Sequence, residues 1–265
     1  MGEVPNVGFG TKVQRYFSID NPYRRVARFY PAVVTIALLL PVAIMLGIPL
    51  SWWIMALSAG GSLVVATAAV HHLSHLASAA GNRIQTKLYP KWPHDSPTNL
   101  RLHPKDATAS KQQKQKWYEA IKRLTGLDIA AVADDSDEAA RVINDACVTL
   151  RTKVFEGNKL AGRLDRSNAD YGQMRNFAGL RPIWMLTSIA SCAGCWLLFA
   201  LRQENLALPI IASALLAVCL LSAVVIEEYV RTTARHYADS FFGALDVCDE
   251  ALQAKTKRKP AAEEK

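Results

Sequence analysis

Between Phe29 and Val70 the sequence holds no Asp, Glu, Lys or Arg, and between Pro182 and Ile226 it holds only Arg202 and Glu204. A soluble domain needs polar faces on helices of that length, whereas a bilayer takes roughly 20 apolar residues per crossing. The missing charge therefore excludes an ordinary soluble enzyme. The first apolar stretch starts near residue 29 and runs past any plausible cleavage point, so it is expected to be retained rather than removed as a secretory leader. Cysteine is scarce: Cys147, Cys192, Cys195, Cys219 and Cys248 are odd in number, and three lie in apolar stretches. No disulfide framework is expected, and Cys192-Ala-Gly-Cys195 has the spacing of a redox pair in a place where a thiolate is costly, so it reads as packing. A glycine-rich phosphate loop and a nucleophile elbow are both lacking, and the sequence is not expected to be an enzyme. His71, His72 and His75 have metal-ligand spacing on a helix but no acidic or thiol partner nearby, so neither metal nor cofactor is expected. No charge lies deep in an apolar run, which argues against an ion-driven transporter.

The chain has 265 residues, 51% hydrophobic and 20% charged, with a formal net charge of +8. Each apolar stretch is about two crossings long and is broken once, at Gly47-Ile48-Pro49-Leu50-Ser51 and at Leu201-Arg202-Gln203-Glu204-Asn205, with Pro41 expected to kink the first helix. The expected architecture is an all-α membrane protein: four transmembrane helices as two hairpins with a mainly helical cytoplasmic domain inserted between them. Basic residues near membrane ends stay cytoplasmic, and Arg24, Arg25, Arg28, Arg83, Lys87, Arg175, Arg181, Arg231 and Arg235 put both termini and the 73–180 segment on that side. The expected divisions are an arm at 1–28, a hairpin at 29–72, a basic domain at 73–180, a hairpin at 181–229, a helix at 230–254 and a disordered tail at 255–265. In the 73–180 segment, Lys111 to Leu124 reads as a helix ending at Gly126, and a second runs from Asp135 to about Val154. After the last crossing Tyr237, Phe241, Leu245, Cys248 and Leu252 form a helical stripe, suited to packing on the protein's own domain or to a subunit contact.

Residues 73–180 carry 17 Lys and Arg against 12 Asp and Glu. Arg101, Lys105, Lys111, Lys114, Lys116, Lys122 and Arg123 cluster there, interleaved with Trp92, Trp117 and Tyr118. Such a patch attracts phosphates, from an anionic nucleotide or from anionic lipid headgroups, and both sources stay open. A second basic group contains Arg151, Arg163, Arg166 and Arg175 beside Tyr171 and Asn176, just before the third crossing, where a bound anion could move a membrane helix. In the apolar runs Ser58, Ser62, Thr67, Thr187, Ser188 and Ser191 are the polar lining candidates. Four crossings are few for a monomeric pathway, so conduction would need a homo-oligomer, for example a tetramer. Glu227 and Glu228 could then form a cation-favouring ring or pair with Arg231 or Arg235.

The run Trp92-Pro93, Pro97-Thr98, Leu100-Arg101, Asp106, Tyr118, Gly126, Leu150-Arg151-Thr152, Asn168, Tyr171-Gly172, Arg175-Asn176 and Gly179 resembles a family of bacterial four-helix membrane proteins, mostly described as hypothetical. The resemblance covers about residues 70–185 and extends to the membrane effectors of nucleotidyltransferase-linked anti-phage defence systems of the Hailong type. It departs from the pattern at His94-Asp95, which stand where glycines follow Trp92. What it implies is an inner-membrane, ligand-gated oligomeric channel. A nucleotide or short single-stranded oligonucleotide, made by a nucleotidyltransferase, would open it, depolarise the membrane and arrest growth. The alternative is a non-conducting membrane scaffold that anchors a domain recruiting a protein partner.

Overall fold

Proline placement decides how the first apolar segment is built. In a computed structural model of the chain, which describes residues 25–47, 60–132, 136–156, 158–203 and 205–258, a π-helical turn at Arg25–Phe29 leads into α1 (Tyr30–Ala37). Pro41 has no N–H to give the Ala37 carbonyl and its ring crowds that carbonyl, so α1 stops there and α2 (Leu40–Met45) begins anew. The kink expected at Pro41 takes the form of a two-residue turn at Leu38 and Leu39, whose backbone stays right-handed helical, between α1 and α2. The remaining elements are α3 (Gly60–Leu88), α4 (Pro97–Leu102), α5 (Lys111–Thr125), α6 (Ser136–Thr149), α7 (Gly162–Gly179), α8 (Arg181–Arg202) and α9 (Ala207–Arg258). A π-helical segment, Leu150–Phe155, follows α6, and short 3-10 turns lie at Ala130–Val132 and Lys159–Ala161. No strand occurs among the described residues, so the all-helical expectation holds for them.

Three helical stretches are long and apolar enough to cross a membrane, Val26–Met45, Arg181–Arg202 and the apolar part of Ala207–Thr256, compatible with a multi-pass membrane protein. The fourth expected crossing falls on residues 48–72, of which 48–59 and the side chains of 60–71 lie outside the described residues. The arm before Arg25, Asp135 and the tail beyond Arg258 lie outside them too. The expected disorder from Lys255 is corrected in part, because α9 continues to Arg258. Its last turns, Ala-Leu-Gln-Ala-Lys-Thr-Lys-Arg, are mostly strong helix formers, and the next breaker in the sequence is Pro260.

The chain divides into two compact units. The first holds the described residues up to Asn82 with Gly172–Glu227. In it α8 packs on α1 and α2, and Leu38, Ala77, Leu180, Trp184 and Cys219 form a buried cluster. The Trp184 indole donates to the Phe177 carbonyl at 3.0 Å. Two glycines set the approach of α3 to α7. A Cβ on Gly179 would strike the backbone of Ala80 and Gly81, and one on Gly81 would strike the Asn176 amide. Asn176 is fully buried there, its amide nitrogen donating to the Ala27 carbonyl at 2.7 Å.

The second unit holds Arg83–Tyr171 and the described residues from Glu228 onward. Its core joins Leu102, Ile121, Ile143, Leu150 and Phe155 to Phe241, Phe242, Leu245 and Cys248 of α9. The stripe expected on α9 thus packs on its own unit through Cys248, whereas Leu252 is 38% exposed. Each large apolar side chain so buried contributes about 1.5–3 kcal/mol. α5 starts where Ser110 accepts from the Gln113 N–H at 3.1 Å and stops at Gly126, which takes the left-handed conformation at φ 79°. Arg123 on α5 donates twice to the nearly buried carboxylate of Asp249 on α9, at 2.8 and 2.7 Å. All five cysteines are free thiols, and burial pushes the Cys147 thiol up to about 12, which leaves it inert.

Two expectations follow for the detergent-solubilised protein. Gly179→Ala should lower the free energy of unfolding by about 1–3 kcal/mol, because the new methyl meets backbone that cannot yield. Gly243→Ala, which opens into empty space in the middle of α9, should raise it by about 0.5–1 kcal/mol. Paired denaturation curves check both signs.

The Arg123 hydrogen bonds hold the Asp249 carboxyl below its ordinary value. A group depressed in the folded state adds stability above its unfolded pKa, near 3.9, and that contribution is lost as the pH falls through the folded value. Asp249→Asn should therefore cost about 1–2 kcal/mol at pH 7, and the gap to wild type should close below about pH 4. Melting curves across pH 2–8 give the comparison.

Candidate functional site

The same rotation of α9 that turns Phe241, Leu245 and Cys248 into the core leaves Thr233, His236, Asp239, Ser240, Gly243 and Val247 along another face. That face and the first half of α7 bound a groove of about 580 Å³. α7 contributes Arg163, Ser167 and Asp170, at the four-residue and three-residue spacings that share one helical face. Leu160 closes one end from the 3-10 turn Lys159–Ala161, whose fold is capped by the Asn158 side chain accepting from the Leu160 N–H at 3.0 Å. Across the groove the hydroxyls of Ser167 and Ser240 are hydrogen bonded at 2.7 Å, and the Ser167 hydroxyl lies 3.3 Å from the Arg163 carbonyl. Every wall of this groove belongs to the second unit.

Its charge is mixed and nearly balanced. Arg101 of α4 pairs with Asp239, and its guanidinium carbon lies 6.0 Å from the Phe242 ring centroid. Arg163, His236 and Asp170 are exposed and make no side-chain hydrogen bond or ion pair to any other described residue. A guanidinium and an imidazole are thus free to meet an anion, and one carboxylate is free to accept hydrogen bonds from a ligand.

Of the ligand-binding residues expected from sequence, the structure brings Arg163 and Arg101 together at this groove, Arg101 through its pairing with Asp239. Lys105, Lys111 and Arg166 stand exposed elsewhere on the unit. Lys114 is buried, its ammonium donating to the carbonyls of His103, at 2.6 Å, and Asp106. Burial lowers its pKa, an effect that Asp106, 3.9 Å away, partly offsets. Arg151 turns inward, donating to the Cys147 carbonyl at 3.2 Å. Trp92 is exposed, 6.1 Å from the Tyr89 ring, and Tyr171 is buried. Trp117 and Tyr118 do not stand among the cations: Trp117 stacks on Phe242 at 4.0 Å, and the Tyr118 hydroxyl donates to the Leu102 carbonyl at 2.6 Å. Arg175 and Asn176 belong to the first unit.

The polar lining candidates fare differently. Ser188 and Ser191 are buried in the first unit, where α8 packs on α1 and α2, and the Ser188 hydroxyl bonds to the Met185 carbonyl at 2.9 Å. Thr187 bonds to the Ile183 and Trp184 carbonyls of its own helix. Ser58 and the side chains of Ser62 and Thr67 lie outside the described residues. Glu227 pairs with Arg181 at 3.4 Å, and Glu228 pairs with Arg235 at 3.4 Å.

Sequence reasoning missed Ser167, Asp170, His236, Asp239 and Ser240. The signal was available: these polar residues recur at three-residue and four-residue steps on α7 and α9, in phase with Arg163 on one helix and out of phase with the apolar stripe on the other. Attention to cation density alone favoured lysines that cap loops or face solvent.

Replacement separates a structural lysine from a surface one. Lys114→Met should cost about 1–3 kcal/mol, since it strips the donor from partly buried carbonyls, while Lys111→Met should stay within about 0.5 kcal/mol of wild type. Denaturant titration of the two variants measures the difference. In comparisons with known proteins, the chain matches no family model, no curated protein and no solved structure.

Proposed function

We propose that the protein is a homo-oligomeric channel of the bacterial inner membrane, opened when an anionic nucleotide or oligonucleotide signal occupies the α7–α9 groove. In this reading the four crossings form two hairpins, the second unit is cytoplasmic, and opening depolarises the membrane and arrests growth, the outcome the resemblance to anti-phage effectors implies. The observation that supports it is the continuity of α9: one helix of 52 residues carries both an apolar run of crossing length and a wall of the groove. In this reading a ligand that shifts this wall is coupled to the apolar run through the helical chain that joins them. The Arg181–Glu227 pair and the Arg181 hydrogen bond to the Ala223 carbonyl, 3.3 Å, would hold α8 against α9 in the closed state.

The burial of Ser188 and Ser191 favours a second reading, a non-conducting scaffold, because it withdraws two polar residues from any water path. Ion flux from liposomes holding the full-length protein separates the two. The channel reading expects flux that depends on added nucleotide or short single-stranded oligonucleotide at physiological salt. It also expects Arg163→Glu to weaken the response at least about tenfold, and Lys111→Glu to leave it intact. Absence of flux under every condition, from folded and oligomeric protein, would leave the scaffold.

A further inference from the structure

The groove's own chemistry says more about its occupant than net charge does. We infer that it takes a ligand with a single anionic group on a hydroxyl-bearing body of nucleoside size, a nucleoside monophosphate rather than a polyanionic oligonucleotide. This rests on the ligand-gated reading and narrows it.

Volume sets the scale: about 580 Å³ lies inside the range of small-molecule sites, and a chain of several nucleotides exceeds it. Charge sets the valence. Arg163 presents an unpaired guanidinium, whose planar fork matches one phosphate, with His236 on the facing helix as a further donor. Asp170 follows Arg163 by seven residues, two turns along the same face, and its carboxylate has no partner among the described residues. An ionised carboxylate only accepts, so it selects donors, such as a ribose diol or an exocyclic amine, and repels a second phosphate. Asp239 on the other wall is already paired with Arg101, so that guanidinium is not available to a second phosphate. Leu160 and Val247, 50% and 42% exposed, offer apolar contact for the face of a base. One unpaired carboxylate, one unpaired guanidinium and apolar flanks suit one phosphate joined to a donor-rich body; a phosphate every few ångströms would meet Asp170.

Isothermal titration calorimetry of the full-length protein in detergent, at physiological salt, tests this with adenosine 5′-monophosphate, adenosine triphosphate and a six-nucleotide single-stranded DNA. The monophosphate should bind more tightly than either polyanion. Arg163→Ala should weaken it at least about tenfold. Asp170→Asn, which keeps shape and removes charge, should weaken the monophosphate and strengthen the triphosphate, narrowing or inverting their order. Melting temperatures equal to wild type confirm that both surface variants fold. The inference is overturned if the monophosphate does not bind, if Arg163→Ala leaves its affinity unchanged, or if the hexanucleotide binds at least as tightly. Flux evoked by the hexanucleotide alone would sink this inference and keep the channel; monophosphate binding without flux would keep the inference and sink the channel.

Discussion

The packing of α9 into the second unit is the constraint from which the rest of the site follows. Phe241, Phe242, Leu245 and Cys248 lose water by facing Trp117, Ile121, Ile143 and Phe155, and a helix has one rotation that buries all of them together. Once that rotation is set, the positions between them have no freedom. His236, Asp239, Ser240 and Val247 must present themselves toward α7, where Arg163, Ser167 and Asp170 meet them. The polar site is a by-product of an apolar contact, and the bidentate Arg123–Asp249 pair and the Ser167–Ser240 hydrogen bond secure its flanks.

The two units rely on different physics. In the second, burial of large side chains works against water and drives association. In the first, where long apolar stretches leave many side chains such as Leu186, Leu197, Leu221 and Val224 on the outside, close contact comes from small residues and internal hydrogen bonds. Gly81 and Gly179 let α3 and α7 touch backbone to backbone. Polar side chains in the apolar helices answer their own carbonyls, as Thr35 does with Pro31 at 2.7 Å, or a neighbouring helix, as Ser213 does in accepting from the Trp196 indole at 3.0 Å.

How much of this was legible depended on the range of the signal. Gly126 as a helix stop and Pro41 as a kink act locally, and each appears where the sequence places it. The stripe on α9 was legible as a stripe, although not which partner it would find. The ligand-binding residues were read from cation density, which carries no information about which lysine folds back on its own loop. Lys114 does so because the His103–Asp106 turn leaves carbonyls needing a donor, a fact set by tertiary packing. Trp117 and Tyr118 were drawn inward for a similar reason: on α5 they share the face that carries Ala120 and Ile121. Asp170 and His236 lie 66 residues apart, and no local pattern joins them.

A continuous helix also transmits phase. Each residue along α9 advances the azimuth by about 100°, so the angle between the groove face at His236 and Asp239 and the buried stripe at Phe241 and Leu245 is encoded in the number of residues between them. One residue inserted between Asp239 and Phe241 would swing His236 and Asp239 by more than a quarter-turn relative to that stripe, away from α7. Seven residues would restore the azimuth to within about 20° while lengthening the rod by about 10 Å. The spacing along this helix is thus a quantised quantity: its length can change in near-whole pairs of turns, and almost no other way, without uncoupling the groove from the core.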